Sequence, residues 1–162
     1  MELTPDWVFS ETDHAAMGEA LAEAAKADAL GEVPVGAVVV APSGEVVARA
    51  HNRREAEHDP TAHAEVLALR AAAAHRGDWR LDGHVLYVTL EPCAMCAGAC
   101  GLARLDCVIW GAPDPVAGFA GSRGNLLDNP GTDLRVKWRG GLRASEASAL
   151  LEGFFAKLRA RL

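Results

Sequence analysis

The sequence predicts an α/β fold built on one central five-stranded mixed sheet. Segments with the apolar spacing of helices alternate with short β-branched runs along the whole chain. Two of these runs, Pro34 to Val40 and Glu45 to Ala50, are joined by Pro42-Ser43-Gly44, which has the composition of a tight turn. They form an antiparallel hairpin. Further on, strand-like Val85 to Leu90, a helix beginning near Pro92 and strand-like Asp106 to Trp110 follow one another directly. Two strands joined through a helix lie parallel, so the sheet is mixed.

The elements can be justified in order. Ser10-Glu11-Thr12-Asp13 resembles a capping box, and Met17, Leu21, Ala24, Ala25 and Leu30 trace an apolar stripe from it to Gly31. After the hairpin, a polar loop from Asn52 to Pro60 delivers a second helix, from about Ala62 to His75, with Gly77 just past its end. The third strand and third helix meet at Pro92, a residue suited to a first helical turn. The stretch from Gly111 to Gly131 is rich in Gly, Pro, Asp and Asn, and a loop that long in a compact domain is usually functional. Leu134 to Trp138 supplies the fifth strand. Ala144 to Arg161 is a final helix, with Leu150, Leu151, Phe154, Phe155 and Leu158 facing inward.

At 162 residues the chain is long enough for one substantial core and too short for two ordinary ones, so a single domain over 1–162 is expected. No apolar run reaches membrane-spanning length, and the acidic start lacks the order of a signal peptide. A cytoplasmic protein without membrane contact is expected. Four cysteines in such a compartment point to metal or free thiols rather than disulfides. The net charge of −6 is unlike a generic nucleic-acid binder, but it is unevenly spread. Residues 1–32 carry eight acids against Lys26, whereas Arg135, Lys137, Arg139, Arg143, Lys157, Arg159 and Arg161 near the C-terminus face only Glu146 and Glu152. The C-terminal bases are either a solvated helix face or a phosphate-contacting patch.

Chemistry concentrates in two short stretches, Thr61-Ala62-His63-Ala64-Glu65 and Pro92-Cys93-Ala94-Met95-Cys96, with 26 residues between Glu65 and Pro92. Imidazole and thiolate are good ligands for Zn²⁺, and a catalytic zinc takes three protein ligands while leaving a fourth position open. His63, Cys93 and Cys96 supply the three. A carboxylate two positions from His63 is not needed to hold zinc beside two thiolates, so Glu65 is placed to move protons. Residues two apart on a helix point in nearly opposite directions, so His63 and Glu65 converge only where the chain is just starting its helix. Asp59-Pro60-Thr61 offers cap and first-turn residues for that start. The alternative is a closed structural zinc module with Cys100 as fourth ligand, which leaves Glu65 without a role. Otherwise Cys100 and Cys107 pack as small apolar groups.

The H-x-E…P-C-x-x-C pattern is the signature of zinc-dependent nucleobase deaminases. Along nearly its full length the chain resembles the bacterial tRNA-specific adenosine deaminase family. The segments that carry the likeness are Glu32-Val33-Pro34-Val35-Gly36-Ala37-Val38, Asn52-Arg53 with His58 to Glu65, and Leu86 to Ala99 around Pro92-Cys93-Ala94-Met95-Cys96. The resemblance implies a three-layer α/β/α, cytidine-deaminase-like fold, a homodimer, one Zn²⁺ per subunit, and conversion of the wobble adenosine of an arginine tRNA to inosine. It implies substrate contacts for Asn52, Ala64, Asp114 and Phe155, with Glu65 catalytic and the anticodon stem-loop as partner. Asn52 can equally end a strand, Asp114 can make a turn before Pro115, and Phe155 can be a core aromatic. Where the family usually carries Arg-Asp and a Lys, this chain has Ala112-Pro113-Asp114-Pro115-Val116-Ala117, and the family's Asn-His before the last strand is Asp133-Leu134. Glu55 and Glu57 add acids to the loop before the site. These departures leave open a deaminase of a free base or nucleoside such as guanine or cytosine. A riboflavin-pathway deaminase fits less well, because that group usually spaces its two cysteines more widely.

Overall fold

The computed structural model describes residues 7–162. Helices α1 (Glu11–Ala29), α2 (Ala64–Arg76), α3 (Ala94–Leu102) and α4 (Ala144–Arg159) surround strands β1 (Gly36–Val40), β2 (Val46–His51), β3 (Val85–Leu90), β4 (Cys107–Ala112) and β5 (Lys137–Gly140). The sheet order is β2-β1-β3-β4-β5. β1 runs antiparallel to both β2 and β3, while β3, β4 and β5 are parallel. The expected mixed sheet, hairpin and crossover are all present.

Side-chain alternation along the strands sorts the core into two layers. Ala37 and Val39 of β1, Leu86 and Val88 of β3, and Val108 and Trp110 of β4 pack with Ala68, Leu69 and Ala72 of α2 and Ala97 and Cys100 of α3. Val38, Tyr87 and Ile109 point the other way, onto Met17, Ala20 and Leu21 of α1 and Ala147 of α4. The result is the α/β/α sandwich. Its layers approach closely at Gly36, where a Cβ would come within 1.9 Å of the Ala20 carbonyl oxygen on α1. The capping box of α1 is formed, Ser10 and Asp13 bonding reciprocally, and Asp13 also accepts from the Tyr87 hydroxyl at 2.6 Å. One carboxylate thus starts a helix and ties it to the sheet.

Four expectations shift. Ala25 and Leu30 are exposed, and the buried face of α1 includes Ala16, Ala20 and Ala27 instead. The fifth strand begins three residues later than its apolar pattern indicates, because pairing of Lys137 with Cys107 sets its register and Leu134 is spent packing on Gly101 of α3. Helix α2 is capped by His63 rather than by the Asp59 to Thr61 segment, and α3 by Cys93 rather than Pro92. Along α4 only Ala147 is buried; Leu150, Leu151 and Phe154 are half-buried, and Phe155 and Leu158 are exposed at 40% and 45%. Beyond its first turn that helix reaches the core, among the described residues, only through the half-buried Leu150 and Leu151. No described helix is long and apolar enough to cross a membrane.

Candidate metal centre and active-site cavity

The antiparallel and parallel halves of the sheet together deliver the site. Because β1 runs against β3, the start of β1 lies beside the ends of β2, β3 and β4. A cavity of about 160 Å³ opens at this edge, lined by Val33, Val35, Asn52, Arg54, His63, Ala64, Glu65, Leu90, Glu91, Cys93, Asp114 and Ala117. Ligand crevices in such sheets form beyond the carboxyl ends of the strands.

The helix starts explain how His63 and Glu65 converge. His63 is the N-cap of α2, with extended backbone angles, and Glu65 is already helical. Cys93 is the extended N-cap of α3, and Cys96 lies in its first turn. Neither helix has a conventional side-chain cap. Both positive helix ends therefore face one region, which favours thiolate and other anions there.

Nδ1 of His63 lies 3.7 Å from Cys93 Sγ and 3.5 Å from Cys96 Sγ, and all three ligand atoms fall within 4.8 Å of one another. Tetrahedral zinc with bonds of about 2.0 Å to nitrogen and about 2.3 Å to sulfur separates N from S by about 3.5 Å. The donor set and its spacing fit that ion. The Cys93–Cys96 hydrogen bond, with His63 beside it, holds the Cys93 thiol down at about 4 and, together with burial, pushes the Cys96 thiol up, so the pair loses its first proton from Cys93. Cys100 lies outside this group and packs in the core under α3, where burial pushes its thiol up. Cys107 packs in the opposite layer. A closed site with Cys100 as fourth ligand is not what the helix builds.

Glu65 is 4% exposed, and burial lifts its carboxyl to about 7. A group of that basicity at neutral pH can both take and return a proton.

The remaining candidates divide. Ala64 and Asn52 line the cavity; the Asn52 Nδ2 donates to the Val33 carbonyl at 3.3 Å, and its Oδ1 accepts from the Arg54 N–H at 3.2 Å. Asp114 lines it too, yet its Oδ1 also accepts from the N–H groups of Val116 and Ala117, so it makes the turn as well. Phe155 does not reach the cavity; it stacks edge-to-face on Phe154 at 5.3 Å along α4. Leu134, at the family's usual histidine, contacts the last turn of α3 rather than the first, where the cysteines are. Much of the C-terminal positive charge is locally paired: Lys157 with Asp28, Arg143 with Glu146, Lys137 with Asp106.

Three residues escape sequence reasoning. The Glu91 carboxylate, 1% exposed, accepts from the N–H groups of Asp114, Ala120 and Ser122 and from the Ser122 hydroxyl. It pulls the loop after β4 down over the cavity, with Gly118 so close that a Cβ would collide with it at 2.4 Å. Glu32, 2% exposed, does the same for the opposite loop, accepting from the N–H groups of Glu55 and Ala56. Arg54 stands at the cavity wall. The only available signal was that Glu32 and Glu91 are acids bordering apolar strands, where a charge is retained only if it is well bonded.

Comparison with known proteins agrees with this geometry. The profile of the cytidine and deoxycytidylate deaminase zinc-binding region matches residues 10–112. The chain is 47% identical over 147 residues to the tRNA-specific adenosine deaminase of Bacillus subtilis strain 168, covering 91% of each chain. A solved structure from a study of A-to-I editing by tRNA:A34 deaminases at the wobble position superposes with a TM-score of 0.82 at 42% identity, over 85% of this chain and 99% of that one. A guanine deaminase from Nitrosomonas europaea superposes with a TM-score of 0.74 at 25% identity, over 94% and 88%. The chain belongs to the tRNA-specific adenosine deaminase family, within the zinc-binding cytidine and deoxycytidylate deaminases.

Proposed function

We propose that the protein is a single-domain zinc deaminase that converts the wobble adenosine of an arginine tRNA anticodon to inosine in the cytoplasm. The observation that carries this reading is the buried Glu65 beside the His63, Cys93 and Cys96 group, at a cavity whose wall includes Asn52. His63, Cys93 and Cys96 hold one Zn²⁺ per subunit, which supplies Lewis acidity toward water when bound. Glu65 takes a proton from the attacking water as its oxygen bonds to C6 of adenine. It delivers that proton to the ring nitrogen N1, then takes the proton of the new C6 hydroxyl and passes it to the amine, so that C6=O forms as the C6–N bond breaks and ammonia leaves. Asn52, with one donor still uncommitted, reads the purine edge; Ala64 packs against the base, and Asp114 keeps a carboxylate oxygen for the ribose 2′-hydroxyl. An anticodon loop is already unpaired, so extruding its base costs little. Phe155, exposed on α4, meets neighbouring anticodon bases, and the exposed apolar Met95 and Leu102 on α3 support a homodimer.

His63→Ala is expected to lose zinc and activity together, with metal content falling from about one per chain toward zero by atomic absorption. The substrate is tested by incubating zinc-loaded protein with an arginine-tRNA anticodon stem-loop and, separately, adenosine, cytidine and guanine. Inosine at the wobble position with no ammonia from the small molecules is the expected result. Ammonia from a free base alone would transfer the same chemistry to a nucleobase substrate, as the likeness to a guanine deaminase allows.

A further inference from the structure

Residues 113–117 of the loop after β4, which approach the cavity, include no cation: Pro113, Pro115, Val116 and Ala117 are all exposed there around Asp114. Across the cavity the situation is reversed. Arg54 is the one Arg or Lys among the described lining residues, and its side chain is exposed, with no hydrogen bond or ion pair among the described residues. Its neighbours explain why. The adjacent acid Glu57 is taken by Arg53 at 2.7 Å, and the Asp59 carboxylate accepts from the Thr61 N–H and hydroxyl. The Arg54 backbone, by contrast, is clamped on both sides. Its N–H donates to Asn52 Oδ1, and the next two N–H groups, of Glu55 and Ala56, are held by the buried Glu32. A fixed main chain presenting an uncommitted guanidinium beside a nucleobase-sized cavity suits recognition of a phosphodiester, to which arginine offers a planar fork of donors.

We propose that Arg54 receives the phosphate backbone of the RNA strand at the cavity mouth, next to the flipped nucleotide, and does so in place of the bases absent from residues 112–117. The assignment rests on the RNA reading above. It means that the strand's negative charge is met on the Asn52 side of the cavity, while residues 113–117 opposite contribute shape and the Asp114 carboxylate but no phosphate contact.

The test uses the zinc-loaded full chain and the arginine-tRNA anticodon stem-loop, with binding measured between about 50 and 200 mM salt. Arg54→Ala is expected to weaken binding about fivefold and to reduce the slope of log K against log salt by about 0.7, the share of one phosphate contact on a single strand. Arg54→Lys keeps the slope. Arg80→Ala, which removes the same charge beyond the far end of α2, leaves it unchanged. A stem-loop carrying an uncharged methylphosphonate beside the target adenosine costs the parent protein what Arg54→Ala costs, and the two losses do not add. Zinc content stays at the parent level throughout. If the parent deaminates the stem-loop but Arg54→Ala leaves the slope intact, or its loss adds fully to that of the methylphosphonate, Arg54 is not the phosphate contact. If the parent does not act on the stem-loop at all, the RNA reading fails first and the assignment falls with it.

Discussion

Replacing Glu65 by alanine is expected to leave zinc bound and to lower deamination by about 10²- to 10⁴-fold, the range for loss of a positioned acid–base group. The separation of metal from activity follows from geometry. The three atoms able to hold the ion belong to His63, Cys93 and Cys96, whereas the Glu65 carboxyl belongs to none of the metal-holding set. Glu65→Gln is the sharper variant, since it fills the same buried volume and removes only the capacity to cycle a proton. Metal analysis beside single-turnover inosine formation checks both. Normal turnover in either variant would remove Glu65 from the mechanism, and loss of zinc in Glu65→Gln would make it a determinant of metal binding instead.

Truncation of Glu91 should produce the largest structural loss in the cavity wall. Glu91→Ala strips the acceptor from three main-chain N–H groups and the Ser122 hydroxyl, and each donor left buried and unpaired costs about 1–3 kcal/mol. Part of that set is reached by water once the loop lifts, so a net loss of about 3 kcal/mol is expected, lowering the thermal midpoint by roughly 6–12 °C in a domain of this size. Below the midpoint the loop carrying Asp114 is released, so KM for the stem-loop rises more than kcat falls. A midpoint within about 1 °C of the parent's would show that the loop holds itself.

The parts of this molecule that were legible from its sequence are those whose physics is local. Ser10 to Asp13 forms its capping box within four residues, Pro42-Ser43-Gly44 closes its hairpin, and the metal group follows from residue type and spacing. What was misread depends on distant partners. The β5 boundary is set by pairing with β4, and the apolar Leu134, strand-like in sequence, is committed to Gly101. Phe155 and Leu158 keep a core-like spacing on α4, but the helix's packing on the core stops at Leu150 and Leu151, so spacing alone overstates their burial. Glu32 and Glu91 were invisible as anchors for the same reason. Their donors lie 23 to 31 residues away in the chain.

Those two anchors share a property with consequences for descent. Each grips its loop almost entirely through main-chain N–H groups, and away from Gly118 and the donating positions themselves such a grip does not register which side chains the loop carries. The path of the rim is inherited from the core, while its surface chemistry is left free. Lineages can therefore exchange bases for prolines at 112–117, or gather acids near Glu55, one substitution at a time without disturbing the metal group or Glu65. Substrate preference in such a scaffold can diverge quickly while the reaction stays the same.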